Sequence, residues 1–238
     1  MSAVPGILIN GTMYADSLVG TAGDDTINAG TGVDTIQANS GDDRISIVVA
    51  DEFSDTVHGG DGVDSLLVTV QDTSGSYWMP ANMYWVGYDA GGNAIGMITV
   101  GSNYDMAYAD LALSGVRLKL NTGNGYPGAW IDGIENLSLW TSQRDDSNDM
   151  LLLRGTGTYN GYGGFNGMYA DWSALATPIV WHNQADATVQ SVGGSSISNV
   201  QRLLLRSGAG DDDIRNTAVT TDDEFETGAG NDTVYAGQ

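Results

Sequence analysis

The stretch that decides the fold is residues 16–45, which read DSLVGTAGDDTINAGTGVDTIQANSGDDRI. Aspartates recur in it every nine residues, at Asp16, Asp25, Asp34 and Asp43. Two positions after each aspartate stands an aliphatic residue, namely Leu18, Ile27, Ile36 and Ile45. Because side chains alternate between the two faces of a strand, each unit predicts a glycine-rich turn followed by a short strand whose middle side chain points inward.

The same unit returns further along the chain. After a three-residue insertion it resumes at Asp55 and Asp64, and its cleanest copy is GGDGVDSLL over residues 59–67. Near the end three copies follow: SGAGDDDIR (residues 207–215), a degenerate copy around Asp223, and TGAGNDTVY (residues 227–235). The last three residues would open another repeat, which predicts that the chain is part of a longer protein.

Two repeats make one coil of 18 residues, so every second aspartate falls on the same edge. The stacked pairs are Asp16 with Asp34, Asp25 with Asp43, Asp34 with Asp55, and Asp43 with Asp64. At the spacing of neighbouring strands, roughly 4.8 Å, these carboxylates would repel one another. Calcium takes about six to eight oxygens from carboxylates and carbonyls, and glycine turns leave such carbonyls free to face an ion. The alternative is a metal-free stack of tight Asp-Gly turns.

These units resemble the repeats-in-toxin (RTX), or hemolysin-type, calcium-binding proteins of bacteria, whose repeat reads G-G-x-G-x-D-x-U-x. The resemblance implies a parallel β-roll, or β-helix solenoid, in which several calcium ions are held by aspartates and turn carbonyls of loops one coil apart. It implies metal-binding aspartates at Asp16, Asp25, Asp34, Asp43, Asp55, Asp64, Asp212, Asp223 and Asp232. It implies turn glycines at Gly23, Gly30, Gly32, Gly41, Gly59, Gly60, Gly62, Gly208, Gly210, Gly228 and Gly230. The Asp16 copy departs from the pattern with Tyr14 at a glycine position, and the Asp55 and Asp223 copies lack turn glycines.

Composition supports an all-β fold and excludes several partners. The 238 residues include 30 acidic and 8 basic ones, a net charge of -22 that would repel nucleic acid and anionic membranes. Only four of the acids are glutamates, and aspartate favours turns and oxygen cages rather than helices. Cysteine is absent, so disulfides and thiolate metal sites are excluded. No apolar run reaches transmembrane length, and the start lacks a signal-peptide pattern, so any export signal is expected elsewhere.

The repeats divide the chain into three predicted parts: an N-terminal repeat block over residues 1–67, a β-rich middle over 68–206 and a second, apparently truncated repeat block over 207–238. The middle predicts an imperfect internal duplication, because residues 131–139 resemble residues 197–205. Its aromatic segment, with Tyr77, Trp78, Tyr84, Trp85 and Tyr88, leaves two readings open: a buried core or a platform that stacks on sugar rings. Asp149 lies in an acidic stretch, where two interpretations are open: a further ion site or, as the favoured one, a solvated turn.

No catalytic constellation is present. The chain has two histidines, His58 and His182, and no sequence motif of a nucleophile, a metalloprotease or a phosphate-binding loop, so it is not expected to be an enzyme. The sequence and the resemblance together predict a calcium-binding structural module of a larger secreted or cell-surface bacterial protein, an S-layer or adhesin-like scaffold that folds on binding calcium. Type I secretion is the route that the resemblance implies. The alternatives are a glycan-binding module and the carrier region of a secreted toxin or hydrolase. Possible partners besides calcium are further copies of the chain and a cell-surface glycan.

Overall fold

A computed structural model describes residues 4–50, 54–71, 83–99, 115–122, 126–141 and 147–236. These ranges form 22 β-strands and no helix, so the all-β prediction is confirmed. No described segment is a long apolar helix of the kind that crosses a membrane. The strands of the first half are β1 Leu8–Asn10, β2 Ser17–Val19, β3 Thr26–Asn28, β4 Thr35–Ser40, β5 Arg44–Val49, β6 Asp55–Asp61, β7 Ser65–Val70, β8 Tyr84–Tyr88, β9 Ala94–Ile98, β10 Arg117–Thr122 and β11 Tyr126–Asp132. Those of the second half are β12 Asn136–Trp140, β13 Met150–Leu152, β14 Thr158–Asn160, β15 Gly167–Asp171, β16 Val180–His182, β17 Gln190–Val192, β18 Ser195–Ser198, β19 Arg202–Arg206, β20 Asp213–Arg215, β21 Glu224–Glu226 and β22 Thr233–Tyr235.

The first seven strands alternate between two parallel sheets. Strands β1, β3, β5 and β7 pair in one sheet, and β2, β4 and β6 pair in the other. Ile27 lies opposite Ile45, and Ile36 lies opposite Val57. The aspartates that precede these strands are accordingly 18 residues apart, or 21 where the insertion intervenes. This is the two-repeat period that the sequence predicts.

The aliphatic residue of each repeat forms the core between these two sheets. The strand Thr26–Asn28 shows the pattern, because Ile27 is fully buried while its two neighbours are not. The equivalent side chains at Leu18, Ile36, Ile45, Val57 and Leu66 are also buried. The alternation in each repeat therefore places one apolar side chain per strand inside, as expected.

Both sheets continue into the middle of the chain. Strand β7 pairs in parallel with β12, which leads to β14 and β18, whereas β6 pairs in parallel with β11. Strands β8 to β11 add an antiparallel extension that the repeat pattern does not predict. Two further parallel sheets follow, in the orders β13-β15-β19-β21 and β16-β20-β22. The boundaries near residues 67 and 206 remain predictions, and hydrogen-bonded ladders cross both of them.

Aromatic side chains of the middle fill the core. Trp85, Tyr159, Tyr169 and Trp181 are almost completely buried, and the Trp85 indole N–H donates to the carbonyl oxygen of Met150 at 2.8 Å. Trp85 is therefore a core residue and not part of a sugar-binding platform. Tyr84 and Tyr88 are half-buried, whereas Tyr77 and Trp78 lie outside the described residues. The two copies of the suggested duplication end in different sheets, with β12 in the eight-stranded sheet and β19 in the four-stranded one.

Candidate metal sites

The repeat aspartates form a ladder that connects one coil to the next. In each step a carboxylate Oδ1 accepts the backbone N–H of the aspartate one coil earlier. Asp34 accepts from Asp16 at 2.9 Å, and Asp43 accepts from Asp25 at 2.7 Å. Asp55 accepts from Asp34, and Asp64 accepts from Asp43, both at 2.9 Å. The structure thus brings together the four pairs that the spacing predicts, while their metal-binding role stays a prediction.

The second oxygen of three of these carboxylates has no hydrogen-bond partner in the described residues. Within the described part of the chain, Oδ2 of Asp34, Asp43 and Asp64 is buried and accepts no hydrogen bond. The side chains themselves are at most 1% exposed. A buried carboxylate oxygen without a partner is unfavourable, because its lost hydration is not replaced. An oxygen-binding cation such as calcium fits this position, since it would bind the free oxygen and neutralise the stacked charges.

The first two aspartates of the ladder differ. Oδ2 of Asp16 accepts the backbone N–H of Thr12 at 2.6 Å and its hydroxyl at 2.8 Å. Oδ2 of Asp25 accepts the same two groups of Thr21, at 2.5 and 3.2 Å. Threonine replaces a turn glycine four residues before each of these aspartates. Because both carboxylates are already satisfied, these turns require a cation less than those of Asp34, Asp43 and Asp64.

The pKa shifts of the later aspartates are opposite in direction to that of Asp25. Burial raises the pKa of Asp55 to about 7 and the pKa of Asp64 to about 6, although a backbone hydrogen bond to each carboxylate opposes the shift. Burial also raises the pKa of Asp34 and Asp43. For Asp25, burial raises the pKa but hydrogen bonds from Thr21 and Ile7 outweigh it, so that the pKa is lowered. Without metal, burial therefore makes the ionised form of these later aspartates less favourable than it is in water.

In EDTA, the chain is expected to be more stable at pH 5 than at pH 8. Burial raises the pKa of Asp55 to about 7 from 3.8, so between these values the folded state binds more protons than the unfolded state. Stability then falls as pH rises through this window, with the penalty absent below the unfolded pKa and complete above the folded one. Carboxyls with a lowered pKa, such as Asp213 at about 2, change protonation at lower pH. Melting curves followed by circular dichroism should differ by on the order of 10 °C.

The control for this pH effect is Asp55→Asn, which removes the carboxyl with the highest of these pKa values and should reduce the difference between pH 5 and pH 8, while Asp64, with a pKa of about 6, keeps part of it. In saturating calcium the direction should reverse, because protons compete with the metal for carboxylates. A metal-free melting temperature that rises from pH 5 to pH 8 would contradict the expectation.

The predicted glycines occupy the turns, and they serve two different needs. Positive φ angles occur at Gly30, Gly32, Gly41, Gly60, Gly62, Gly228 and Gly230. Gly62, with φ at 141°, is a clear case, because residues with a Cβ rarely adopt this backbone. The other four predicted glycines are Gly23, Gly59, Gly208 and Gly210. At Gly59 an added Cβ would stand 1.7 Å from the carbonyl oxygen of Gly133 and 2.6 Å from Oδ2 of Asp64, so close approach is the requirement there.

The C-terminal aspartates continue the pattern in part. Asp212 is 2% exposed, its Oδ1 accepts the N–H of Ile179, and its Oδ2 is unpartnered within the described residues. Oδ1 of the half-buried Asp232 accepts the N–H of Asp212 at 3.0 Å, which joins these two predicted residues. The carboxylate of Asp223 accepts hydrogen bonds from Leu203 N–H and from the side chain of Asn216.

The ladder also includes residues that the sequence did not indicate. Asp64 N–H donates to Oε2 of Glu135 at 2.9 Å, 71 residues away. A second series runs through Asp149, Asn166 and Gln201. Asp149 is fully buried with an unpartnered Oδ2, and burial raises its pKa to about 6, so the predicted solvated turn is wrong. The glycines at 161 and 164 before Asn166 could have revealed one of these turns, whereas no local pattern marks Glu135.

Acidic side chains are stacked in the ladder rather than gathered at one point. Among the described residues, no three acidic or histidine side chains are grouped closely enough to hold a metal ion by themselves. A calcium site here would therefore depend on turn carbonyls as well as on carboxylates. The two histidines each contact one carboxylate, His58 with Asp132 at 2.6 Å and His182 with Asp213 at 2.9 Å, and both lie partly exposed.

Comparison with known proteins supports the repeat assignment. Residues 10–45, 47–67 and 217–238 match the family described as the RTX calcium-binding nonapeptide repeat, in four copies. The resemblance in the repeats is thereby confirmed, and nonapeptide repeats of this family bind calcium. The repeat is a structural module and not a catalytic one. No curated protein and no solved structure gives a match to the chain.

Proposed function

Starting from these RTX repeats, we propose that the chain is a calcium-dependent structural module in which stacked ions hold successive coils together. The observation that carries the proposal is the unpartnered Oδ2 of Asp34, Asp43 and Asp64, buried at the same step of each coil. Calcium supplies the positive charge that these oxygens lack. Asp212 has the same arrangement, with Oδ1 bound to the backbone N–H of Ile179 and Oδ2 without a partner in the described residues, and it belongs to the proposal.

The architecture that fits this function is a parallel β-roll. It is supported by the parallel pairing of β1 to β7 in two sheets and by the inward aliphatic residue of each strand. In such a roll the ions lie along the turns, where seven of the predicted glycines have positive φ angles. The predicted ligands are the carboxylates of the ladder and the carbonyl oxygens of those turns. Asp16 and Asp25 contribute less, because Thr12 and Thr21 already bind their Oδ2 atoms.

The setting that we propose is a larger secreted or cell-surface bacterial protein, with this chain as an S-layer or adhesin-like scaffold. The RTX match supports it, and so does the net charge of -22, because the stacked carboxylates favour folding where calcium is abundant. The absence of cysteine is consistent with a rigidity that comes from metal instead of disulfides.

Calcium should bind the full chain in several equivalents and promote its assembly. The experiment titrates calcium chloride into chelator-treated protein by calorimetry, then measures the mass in solution by light scattering with and without calcium. At least three ions are expected, one for each unpartnered aspartate of the N-terminal block. Absence of binding at millimolar calcium would refute the module. Binding with an unchanged monomer mass would refute the scaffold and favour the carrier-region alternative.

A further inference from the structure

The turn over residues 161–166 has the form of a calcium repeat with one change. Its sequence GYGGFN places Gly161 and Gly164 at the first and fourth positions of the repeat and Asn166 at the position of the aspartate. The backbone agrees, because Gly164 has φ at 82° and Tyr162, at the second position, has φ at 47°. In the repeat before Asp64 the second position, Gly60, also has a positive φ, at 113°. The turn therefore differs from a metal-binding one chiefly in its side chains.

Asn166 occupies the aspartate position of the ladder. Its Oδ1 accepts the backbone N–H of Asp149 at 3.1 Å, as an aspartate Oδ1 does in the N-terminal coils. Its own N–H donates to the side-chain oxygen of Gln201 at 2.7 Å, so the next step of the ladder is also an uncharged amide. The carboxylate ladder is thus replaced here by amides, without loss of its backbone hydrogen bonds.

The second polar atom of the Asn166 side chain, Nδ2, is a hydrogen-bond donor, whereas the equivalent Oδ2 of an aspartate is an acceptor. Nδ2 donates to the carbonyl oxygens of Gly161 at 2.9 Å, Gly163 at 3.0 Å and Asn199 at 3.1 Å, and the side chain is fully buried. These carbonyls belong to its own turn and to a neighbouring one. The donor therefore joins turns through their carbonyl oxygens, which is the task that calcium would perform elsewhere.

The geometry shows that Nδ2 stands where a carboxylate oxygen stands in a repeat. An added Cβ on Gly59 would lie 2.6 Å from Oδ2 of Asp64, and an added Cβ on Gly161 would lie 2.5 Å from Nδ2 of Asn166. The two atoms therefore lie at nearly the same distance from the first glycine of their turn. One is an acceptor without a hydrogen-bond partner in the described residues, and the other is a donor with three.

We propose that the amide of Asn166 takes the place of a calcium ion, so that the middle of the chain keeps its turn without metal. The inference rests on the proposed function, since it assumes that calcium joins the turns of the N-terminal block. It divides the chain into a calcium-dependent part and a calcium-independent part. The independent part stays folded and offers a template on which the repeats fold when calcium is added.

Two other side chains, Arg154 in the middle and Asn216 in the adjoining C-terminal part, also donate hydrogen bonds to oxygens of neighbouring segments. The buried guanidinium of Arg154 donates to the carbonyl oxygens of Val116 at 3.0 Å and Ile134 at 3.5 Å. Nδ2 of Asn216 lies between the carbonyl oxygen of Gln201, at 2.7 Å, and the carboxylate of Asp223, at 2.9 Å. Each donor binds oxygens that would otherwise require another cation or water.

The first test uses the unaltered full chain, followed by hydrogen exchange and mass spectrometry in calcium chloride and in EDTA. In EDTA, amides of residues 7–70 should lose protection by at least roughly tenfold, while those of β13, β15 and β19 should change little. Equal loss in both regions would overturn the calcium independence of the middle. If residues 7–70 do not respond to EDTA, the proposed calcium function fails, and the inference fails with it because no metal is then replaced.

The second test is Asn166→Asp, with Asn160→Asp as the matched control. Aspartate at 166 keeps the acceptor for Asp149 N–H, but it removes the two N–H donors that three carbonyl oxygens share and turns an oxygen toward those carbonyls. Asn160 lies in the same region and uses its oxygen to accept from Tyr162 and Asn199, so aspartate there adds the same charge and keeps both bonds.

Asn166→Asp should lose at least about tenfold in protection of β13, β15 and β19 in EDTA and regain it in calcium, whereas Asn160→Asp should resemble the unaltered chain in both. Two results overturn the inference. One is an Asn166→Asp chain as protected in EDTA as its control. The other is a chain that remains unprotected in calcium, because calcium would then be unable to replace the amide. Neither result affects the calcium response of residues 7–70, so failure of the inference is distinguishable from failure of the proposed function.

Discussion

Removal of calcium is expected to unfold the N-terminal block of the chain. EDTA should sharply lower the β signal in circular dichroism and the melting temperature, and added calcium should restore both. The reason is that Asp34, Asp43 and Asp64 each leave one buried carboxylate oxygen without a hydrogen bond in the described structure. Ionised at neutral pH and unmatched by a cation, these stacked charges oppose the compact state.

The size of this effect follows from mass action. An ion present at a hundredfold excess over its dissociation constant stabilises the folded state by about 2.7 kcal/mol, so three such sites contribute about 8 kcal/mol. That is comparable to the whole stability of an ordinary domain, about 5–15 kcal/mol. Magnesium is the control, because it holds its waters firmly and demands tighter octahedral geometry, and it should restore little of the signal. Identical spectra and melting points with and without EDTA would refute the prediction.

The repeat period explains why the first third of the fold could be predicted from the sequence. An aliphatic residue two positions after each aspartate predicts a strand and shows which of its faces points inward. The nine-residue spacing predicts which strand it pairs with. The pairing of Ile45 with Leu66 and the contact of Asp43 with Asp64 are direct consequences. These relations are local or lie one coil apart, so a single sequence contains them.

The middle of the chain could not be predicted in the same way, because its partners are distant and its ligand positions are uncharged. Glu135 continues the aspartate ladder from Asp64 across 71 residues, and no period connects them. Asn166 performs a ladder role with an amide, which a search for metal-binding carboxylates overlooks. The sequence around Asp149 does not match a known calcium loop, because Met150 stands where such a loop requires glycine, and it therefore favours a solvated turn; yet Asp149 is buried and its Oδ1 accepts the N–H of Met83. A buried aromatic core and an exposed aromatic platform contain the same kinds of residue. The sequence alone therefore does not show that Trp85 is buried.

Single substitutions in the ladder should have effects that depend on position. Asp34 and Asp43 each belong to two predicted sites, whereas Asp16 belongs to one and is already bound by Thr12. In calcium, Asp43→Ala should lower the melting temperature by on the order of 10 °C, and Asp16→Ala by clearly less. The exposed Asp61 of the same block is the matched control, and Asp61→Ala should change stability by within about 0.5 kcal/mol. Equal effects at all three positions would indicate charge or turn propensity, not a metal site.

Asparagine at the same position gives a sharper test, because the sign of its effect should depend on calcium. Asp43→Asn retains the Oδ1 acceptor for Asp25 N–H and the turn propensity, and it removes only the charge. In EDTA it should raise the melting temperature, since burial raises the pKa of Asp43 and an amide avoids the buried, ionised oxygen. In calcium it should lower the melting temperature and shift the titration midpoint to higher calcium, because the ion loses a charged ligand. A turn-only role predicts no change in either condition, so a midpoint that Asp43→Asn leaves in place would count against the metal role of the whole ladder.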